Sequence, residues 1–83
     1  MYTHIGKDYI IKSDNIIAIL NLEKIDKNNK EILKNMNIKN NIVDISKNNN
    51  KSLIIFEEEK VLKGYITNIS STTLAKRIQK ELI

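Results

Sequence analysis

The hydrophobic positions run with a period of two at the start of the chain and with a helical period at its end. Tyr2-Thr3-His4-Ile5 alternates and stops at Gly6-Lys7-Asp8, a turn signal, and Tyr9-Ile10-Ile11 resumes as a short second strand. Lys12-Ser13-Asp14-Asn15 forms a second turn. Residues 16–22 are a β-branched apolar run, the pattern of a strand buried on both faces. Next, Asp26 or Asn28 can cap a helix running to about residue 37, its side-chain oxygen accepting from a free N–H of the first turn. Ile25, Ile32, Leu33 and Met36 share one face of that helix, and Lys27, Lys30 and Lys34 face water. Asn40-Asn41 ends it, Ile42-Val43-Asp44-Ile45 reads as a brief strand, and residues 46–51 read as a loop.

The second half is more sharply patterned. Residues 52–57 and 60–66 pair as a hairpin around Glu57-Glu58-Glu59. Leu53-Ile54-Ile55-Phe56 is continuous rather than alternating, which predicts a central strand, and Gly64 marks a bulge or a point of close approach. Ser70 or Ser71 caps a final helix. Its buried stripe is Leu74, Ile78 and Leu82 with Ala75 beside them, and Lys76, Arg77 and Lys80 lie on the other side, where cations suit the last turn. The order is β-β-β-α-β-β-β-α. That is an α+β class, a small antiparallel-rich sheet with two helices, in one domain over residues 1–83.

Size turns this pattern into an expectation about assembly. A chain of 83 residues buries roughly 60–65% of the surface its unfolded form exposes, a marginal core. It has no cysteine to cross-link it, so packing against copies of itself is the readiest way to gain burial, and a homo-oligomer is expected. The absence of cysteine also suits a reducing compartment. The longest unbroken apolar stretch, Ile16-Ile17-Ala18-Ile19-Leu20, is far short of the roughly 20 residues of a spanning helix. No basic start followed by an apolar run is visible, and a cytoplasmic location is expected.

Charge matters through its distribution. The net +4 is concentrated in residues 24–51, where seven Lys face Asp26, Glu31 and Asp44. A basic middle third suits an anionic partner. Composition tempers that signal: 17 Ile, 13 Lys and 12 Asn stand against a single Arg, a bias towards residues with A/T-rich codons, so lysine and asparagine patches carry less weight here than elsewhere.

The chemistry of catalysis is nearly missing. His4 is the sole histidine and sits inside the first strand, where a structural or cross-strand role outweighs a catalytic one. Without Cys there is no thiol chemistry and no thiolate metal site. Gly6 and Gly64 are the only glycines, too few for a phosphate-cradling loop or a dinucleotide fingerprint. Glu57-Glu58-Glu59 reads as a solvated hairpin tip, since no coordination spacing accompanies it. No enzyme, no cofactor, no metal and no small-molecule substrate are expected.

Laid out in this order, the chain resembles the RemA/RemB family of bacterial extracellular-matrix (biofilm) regulators over nearly its full length. The resemblance rests on Ile5-Gly6 in the first turn, Asn15-Ile16-Ile17-Ala18-Ile19 in the third strand and Lys51-Ser52-Leu53-Ile54-Ile55 entering the hairpin. It ends with Ser70-Ser71-Thr72-Thr73-Leu74-Ala75-Lys76-Arg77. A slightly longer stretch before that helix makes the chain more similar to the RemB branch. The resemblance implies a transcription regulator that assembles into rings, with a dimer unit like a LytTR-type DNA-binding domain and duplex DNA held along the outer face.

Its DNA contacts, carried onto this chain, fall in two places. One is the turn at residues 12–15, with Lys12 and Asn15; the other is the loop at residues 47–51, with Lys47, Asn48, Asn49, Asn50 and Lys51. The match departs from the arginine-rich branch here, because the loop carries three asparagines in place of paired arginines. Lysine and asparagine do not reproduce the bidentate guanidinium fork, but Lys neutralises phosphate and Asn hydrogen-bonds phosphate oxygens or an adenine edge. Each subunit should then bind weakly and the assembly through avidity. The alternative is a protein-interaction or scaffold subunit that kept the fold and lost the basic loop. Pairing with a better-armed paralogue in mixed rings is a third possibility.

Overall fold

A computed structural model describes residues 1–24 and 41–81, with side chains to residue 79. The helix expected from Asp26 or Asn28 to residue 37 lies outside the described residues, as does Leu82 of the C-terminal stripe. Among the described residues the elements are β1 (Tyr2–Gly6), β2 (Tyr9–Lys12), β3 (Ile16–Asn21), β4 (Ile42–Asp44), β5 (Ser52–Glu58), β6 (Val61–Thr67) and α1 (Ser71–Glu81). Short 3-10 turns at Ser13–Asn15 and Leu22–Lys24 flank β3. The class is α+β, with one α-helix, at the C-terminal end, among these residues.

The strands form two sheets rather than the expected one. β1 and β2 make an antiparallel hairpin, and the other four follow the order β3-β5-β6-β4. β3–β5 and β5–β6 are antiparallel, but β4 runs parallel to β6, so the larger sheet is mixed. β5 is central as its unbroken apolar run predicts: Leu53, Ile54, Ile55 and Phe56 are all buried. Alternation along β5 serves two cores. Ile54 and Phe56 pack with Ile5, Ile11, Ile45 and Leu74 beneath the hairpin and α1. Leu53 and Ile55 sit on the opposite face with Ala18, Leu20, Ile42 and Ile66.

β3 departs from expectation. It is an edge strand, its register slips between Ile16 and Ala18, and Ile17 is 51% exposed. Both of its faces still pack, Ile16 and Ile19 against the first core and Ala18 and Leu20 against the second, so the run is half-buried on both faces rather than fully buried. The β5–β6 hairpin is also tighter than the acidic triplet suggests. Glu58 pairs with Val61, leaving Glu59 and Lys60 as a two-residue loop, both with positive φ (52° and 66°). That is the backbone of a type I′ turn, whose twist matches the strands. Gly64 is a close-approach point and no bulge: it pairs in register with both Ile42 and Ile55, and a β-carbon there would lie 3.0 Å from Leu53 Cδ1.

α1 is capped by Ser70, whose hydroxyl oxygen accepts from the Thr73 N–H at 3.2 Å. Leu74 is fully buried and Ile78 half-buried, but Ala75 is exposed and does not belong to the stripe. One residue of helix turns the side chain about 100°, which carries Ala75 away from the line of Leu74 and Ile78. Arg77, partly exposed, also makes a long-range contact. Its Nη1 donates to the His4 carbonyl oxygen at 2.9 Å and lies 3.4 Å from His4 Nδ1, tying α1 to β1. His4 Nε2 meets the Lys7 carbonyl oxygen at 2.6 Å, so the lone histidine has a structural part, closing the first hairpin. Among the described residues no helix is long and apolar enough to cross a membrane.

Candidate nucleic-acid interface

The loop at residues 46–51 is tied into the sheet at both ends. Before it, the Ile45 N–H donates to the Ile66 carbonyl at 2.8 Å; after it, the Lys51 N–H donates to the Thr67 carbonyl at 3.0 Å. Both ends of the loop are therefore fixed to adjacent residues of β6. The Leu22 N–H donates to the Lys51 carbonyl at 2.9 Å, which ties the far end to β3's exit as well. Between these ties the Asn49 N–H donates to the Ser46 carbonyl at 3.2 Å, and Lys47 and Asn48 occupy left-handed backbone (φ 53° and 69°). This is a second type I′ turn. Asn suits that geometry, whereas Lys in it is strained by about 1–2 kcal/mol.

Side chains close the neck of the loop. Ser46 is completely buried. Its N–H donates to the Asp44 carboxylate at 2.9 Å, its hydroxyl donates to the same oxygen at 2.5 Å, and the hydroxyl oxygen is also in hydrogen-bond contact with the Asn50 side-chain amide. These bonds, the hydroxyl one first, hold the Asp44 carboxyl below its ordinary value of 3.8. Lys47, Asn48 and Asn49 project from this neck as exposed residues, and Lys51 is half-buried at its base. The surface presented is cationic and amide-rich, with its backbone already ordered.

The other expected contact lies elsewhere. Lys12 ends β2, and Asn15 closes the 3-10 turn that leads into β3. Ile16 pairs with Phe56 near the far end of β5, whereas the 46–51 loop feeds the β5 start at Ser52. The span from Ser52 to Glu58 is about 20 Å at the usual rise per strand residue. A single protomer thus brings Lys47, Asn48, Asn49, Asn50 and Lys51 together but sets Lys12 and Asn15 apart from them.

The two ends of β5 also differ in charge. A depression beside Asn15 is lined by Asp14, Ile17, Glu57, Glu58 and Glu59, and a neighbouring one joins Lys12 and Asn15 to Glu58 and Tyr65. Glu58 accepts an ion pair from Lys63 at 3.0 Å, which raises the Lys63 pKa, mainly through that hydrogen bond. Both partners are exposed, so the pair adds little stability. Lys12 therefore shares its depression with Glu58, next to the acidic one.

No group of His, Cys, Asp or Glu able to hold a metal gathers among the described residues. Sequence reasoning passed over Ser46 and Asp44. An Asp whose carboxylate caps the N–H two residues on is a recurrent local device, and the Asp44-Ile45-Ser46 spacing was its only trace.

The arrangement is thus an anchored basic loop on a small α+β scaffold, with no catalytic constellation among the described residues. The RemA-like family model, described as extracellular matrix regulatory protein A-like, matches residues 3–78. The chain belongs to that family. No curated protein matches it. RemA-like membership implies extracellular matrix regulation and places the chain in a regulatory family, not an enzyme family. The matched span takes in the anchored loop, the Lys12 turn and the Arg77 tie.

Proposed function

We propose that this RemA-like protein is a cytoplasmic transcription regulator of extracellular-matrix (biofilm) genes that binds duplex DNA as a homo-oligomer, mainly through phosphates. The observation that carries the reading is the loop at residues 46–51. It is fixed at both ends to β6, has its backbone set in a strained turn, and offers Lys47 and Lys51 with Asn48 and Asn49 between them. Such a loop loses little conformational freedom on meeting a polyanion, which offsets the lack of arginine forks. Lys12 and Asn15 form a second, weaker contact, because Asp14 and Glu58 share their surface.

Assembly is supported by the apolar surface a single protomer leaves open. Tyr2 and Ile10 on the hairpin are each 58% exposed, and Ile17 and Val43 stand on the two edge strands. Closure of the oligomer into a ring, a LytTR-like dimer unit and a place nearer the RemB branch are finer readings. The first two rest on the family resemblance and the third on the stretch before α1.

A gel-shift salt series tests the function. Each phosphate neutralised should contribute about −0.9 to the slope of log K against log salt. Lys47→Ala/Lys51→Ala should flatten that slope by about 2 and weaken binding. If the variant binds as the parent does, the loop assignment is wrong. A second reading, a scaffold subunit without DNA, is favoured by the acidic surface around Lys12. It requires that the parent protein leave DNA unretarded even at low salt.

A further inference from the structure

The Ser46 side chain is buried at the neck of the loop and touches both of its legs. Asp44 lies before the turn and Asn50 after it, and the Ser46 hydroxyl is in hydrogen-bond contact with the carboxylate of one and the amide of the other. A buried hydroxyl that bridges the two sides of a turn removes the freedom of the backbone between them. That backbone needs holding. Lys47 sits at φ 53°, a region that a lysine left to itself avoids, and the one bond across the turn, from Asn49 to the Ser46 carbonyl, is long at 3.2 Å. Strain of this kind persists only where surrounding contacts over-determine it.

We propose that Ser46 is the positioning residue of the DNA-binding loop, and that Asp44 and Asn50 complete a clamp and do not themselves touch nucleic acid. The clamp holds the 47–49 turn in the conformation that presents Lys47. Asn50 thereby moves from the set of DNA contacts to the set of residues that hold them. Asp44, an acid beside a basic loop, is tolerated because its carboxylate is engaged by Ser46 instead of facing phosphate. The inference rests on the DNA-binding reading of the loop, but the clamp itself can be judged without DNA.

Two measurements decide it. In the free protein, Ser46→Ala should speed amide exchange at Asn49 about tenfold, the size of effect expected for losing one buried hydrogen-bond partner, and leave Leu53 and Ile54 unchanged. Unchanged exchange at Asn49 overturns the clamp. In DNA binding, Ser46→Ala should weaken affinity about tenfold in the parent and less than about twofold in the Lys47→Ala/Lys51→Ala background, because a residue that acts through the lysines has nothing left to position. An equal loss in both backgrounds overturns the proposal.

Asn50→Ala, at an exposed position that folding tolerates, should reproduce both effects. Should Ser46→Ala fail to fold, this variant decides by the same criteria. If the lysine double variant binds DNA as well as the parent, the function assigned to the loop falls, while exchange at Asn49 still supports or overturns the clamp.

Discussion

A β-carbon placed on Gly6 would stand 2.8 Å from the Thr67 hydroxyl oxygen and 3.3 Å from Ile45 Cδ1. Gly6 also has φ +132°, which side-chain-bearing residues rarely adopt. The close approach lets the Thr67 hydroxyl donate to the Ile5 carbonyl at 2.6 Å while its oxygen accepts from the Ile69 N–H at 3.2 Å. This buried hydroxyl joins β1, the end of β6 and the entry to α1. Gly6→Ala should destabilise the fold by about 2–3 kcal/mol, since backbone strain and a contact that cannot relax add together. A stability change below about 0.5 kcal/mol in urea unfolding, within the range of ordinary surface substitutions, would show that the hairpin moves away freely.

Lys47→Asn should separate stability from function. Asparagine accepts left-handed backbone, so the variant should be more stable by about 0.5–1 kcal/mol. It should also bind DNA more weakly and with a shallower salt slope. Gains in both stability and affinity would mean that Lys47 serves the turn alone.

Acid should loosen the loop, and the sign follows from the Asp44 shift. Its carboxyl is held below 3.8 in the folded protein, chiefly by the Ser46 hydroxyl. The clamp's contribution is therefore fully present above that ordinary value and is lost as pH falls through the lowered folded one. A carboxyl titration followed by NMR should place the Asp44 midpoint below 3.8, and Ser46→Ala should return it towards 3.8. A midpoint unmoved by Ser46→Ala would remove the hydroxyl as the cause.

Arg77, the single arginine, should prove structural. Its Nη1 donates to the His4 carbonyl, and in the same place it meets His4 Nδ1. Arg77→Met should cost about 1 kcal/mol of stability, one hydrogen bond from a charged donor. The salt slope of DNA binding should stay as in the parent, because no phosphate contact is lost. A flatter slope would place Arg77 at the nucleic acid.

How far these features could be read from the chain depends on the range of the contacts that create them. β5 was legible because four consecutive apolar residues, 53–56, need two buried faces, and it has them. The Ser70 cap was legible because it is local. β3 was legible in part: both its faces pack, but its place at the edge of the sheet, set by long-range pairing, leaves it half-buried where β5 is buried. Arg77 and His4 lie 73 residues apart, so nothing in either neighbourhood announces their contact. The basic loop was visible as composition. Its clamp was not, because Ser46 is an ordinary loop residue until Asp44 and Asn50 are folded around it.

The separation of Lys12 from the 46–51 loop yields the prediction that best tests how many surfaces meet DNA. Glu57, Glu58 and Asp14 lie at the end of β5 away from the loop, about 20 Å from it along the strand. Exposed charges that far apart exceed the Debye length of about 8 Å at roughly 0.15 M salt. Replacing Asp14 and Glu58 by Asn and Gln should therefore leave affinity through the loop unchanged within about twofold at that ionic strength. The same replacements should strengthen any contact made by Lys12 and Asn15, whose own surface they neutralise. Lys12→Ala in the neutralised background then reads the second contact directly: a drop in affinity that the parent background lacks would assign Lys12 a phosphate masked by its acidic neighbours. No change in either background would leave the loop as the whole of a protomer's share in DNA binding.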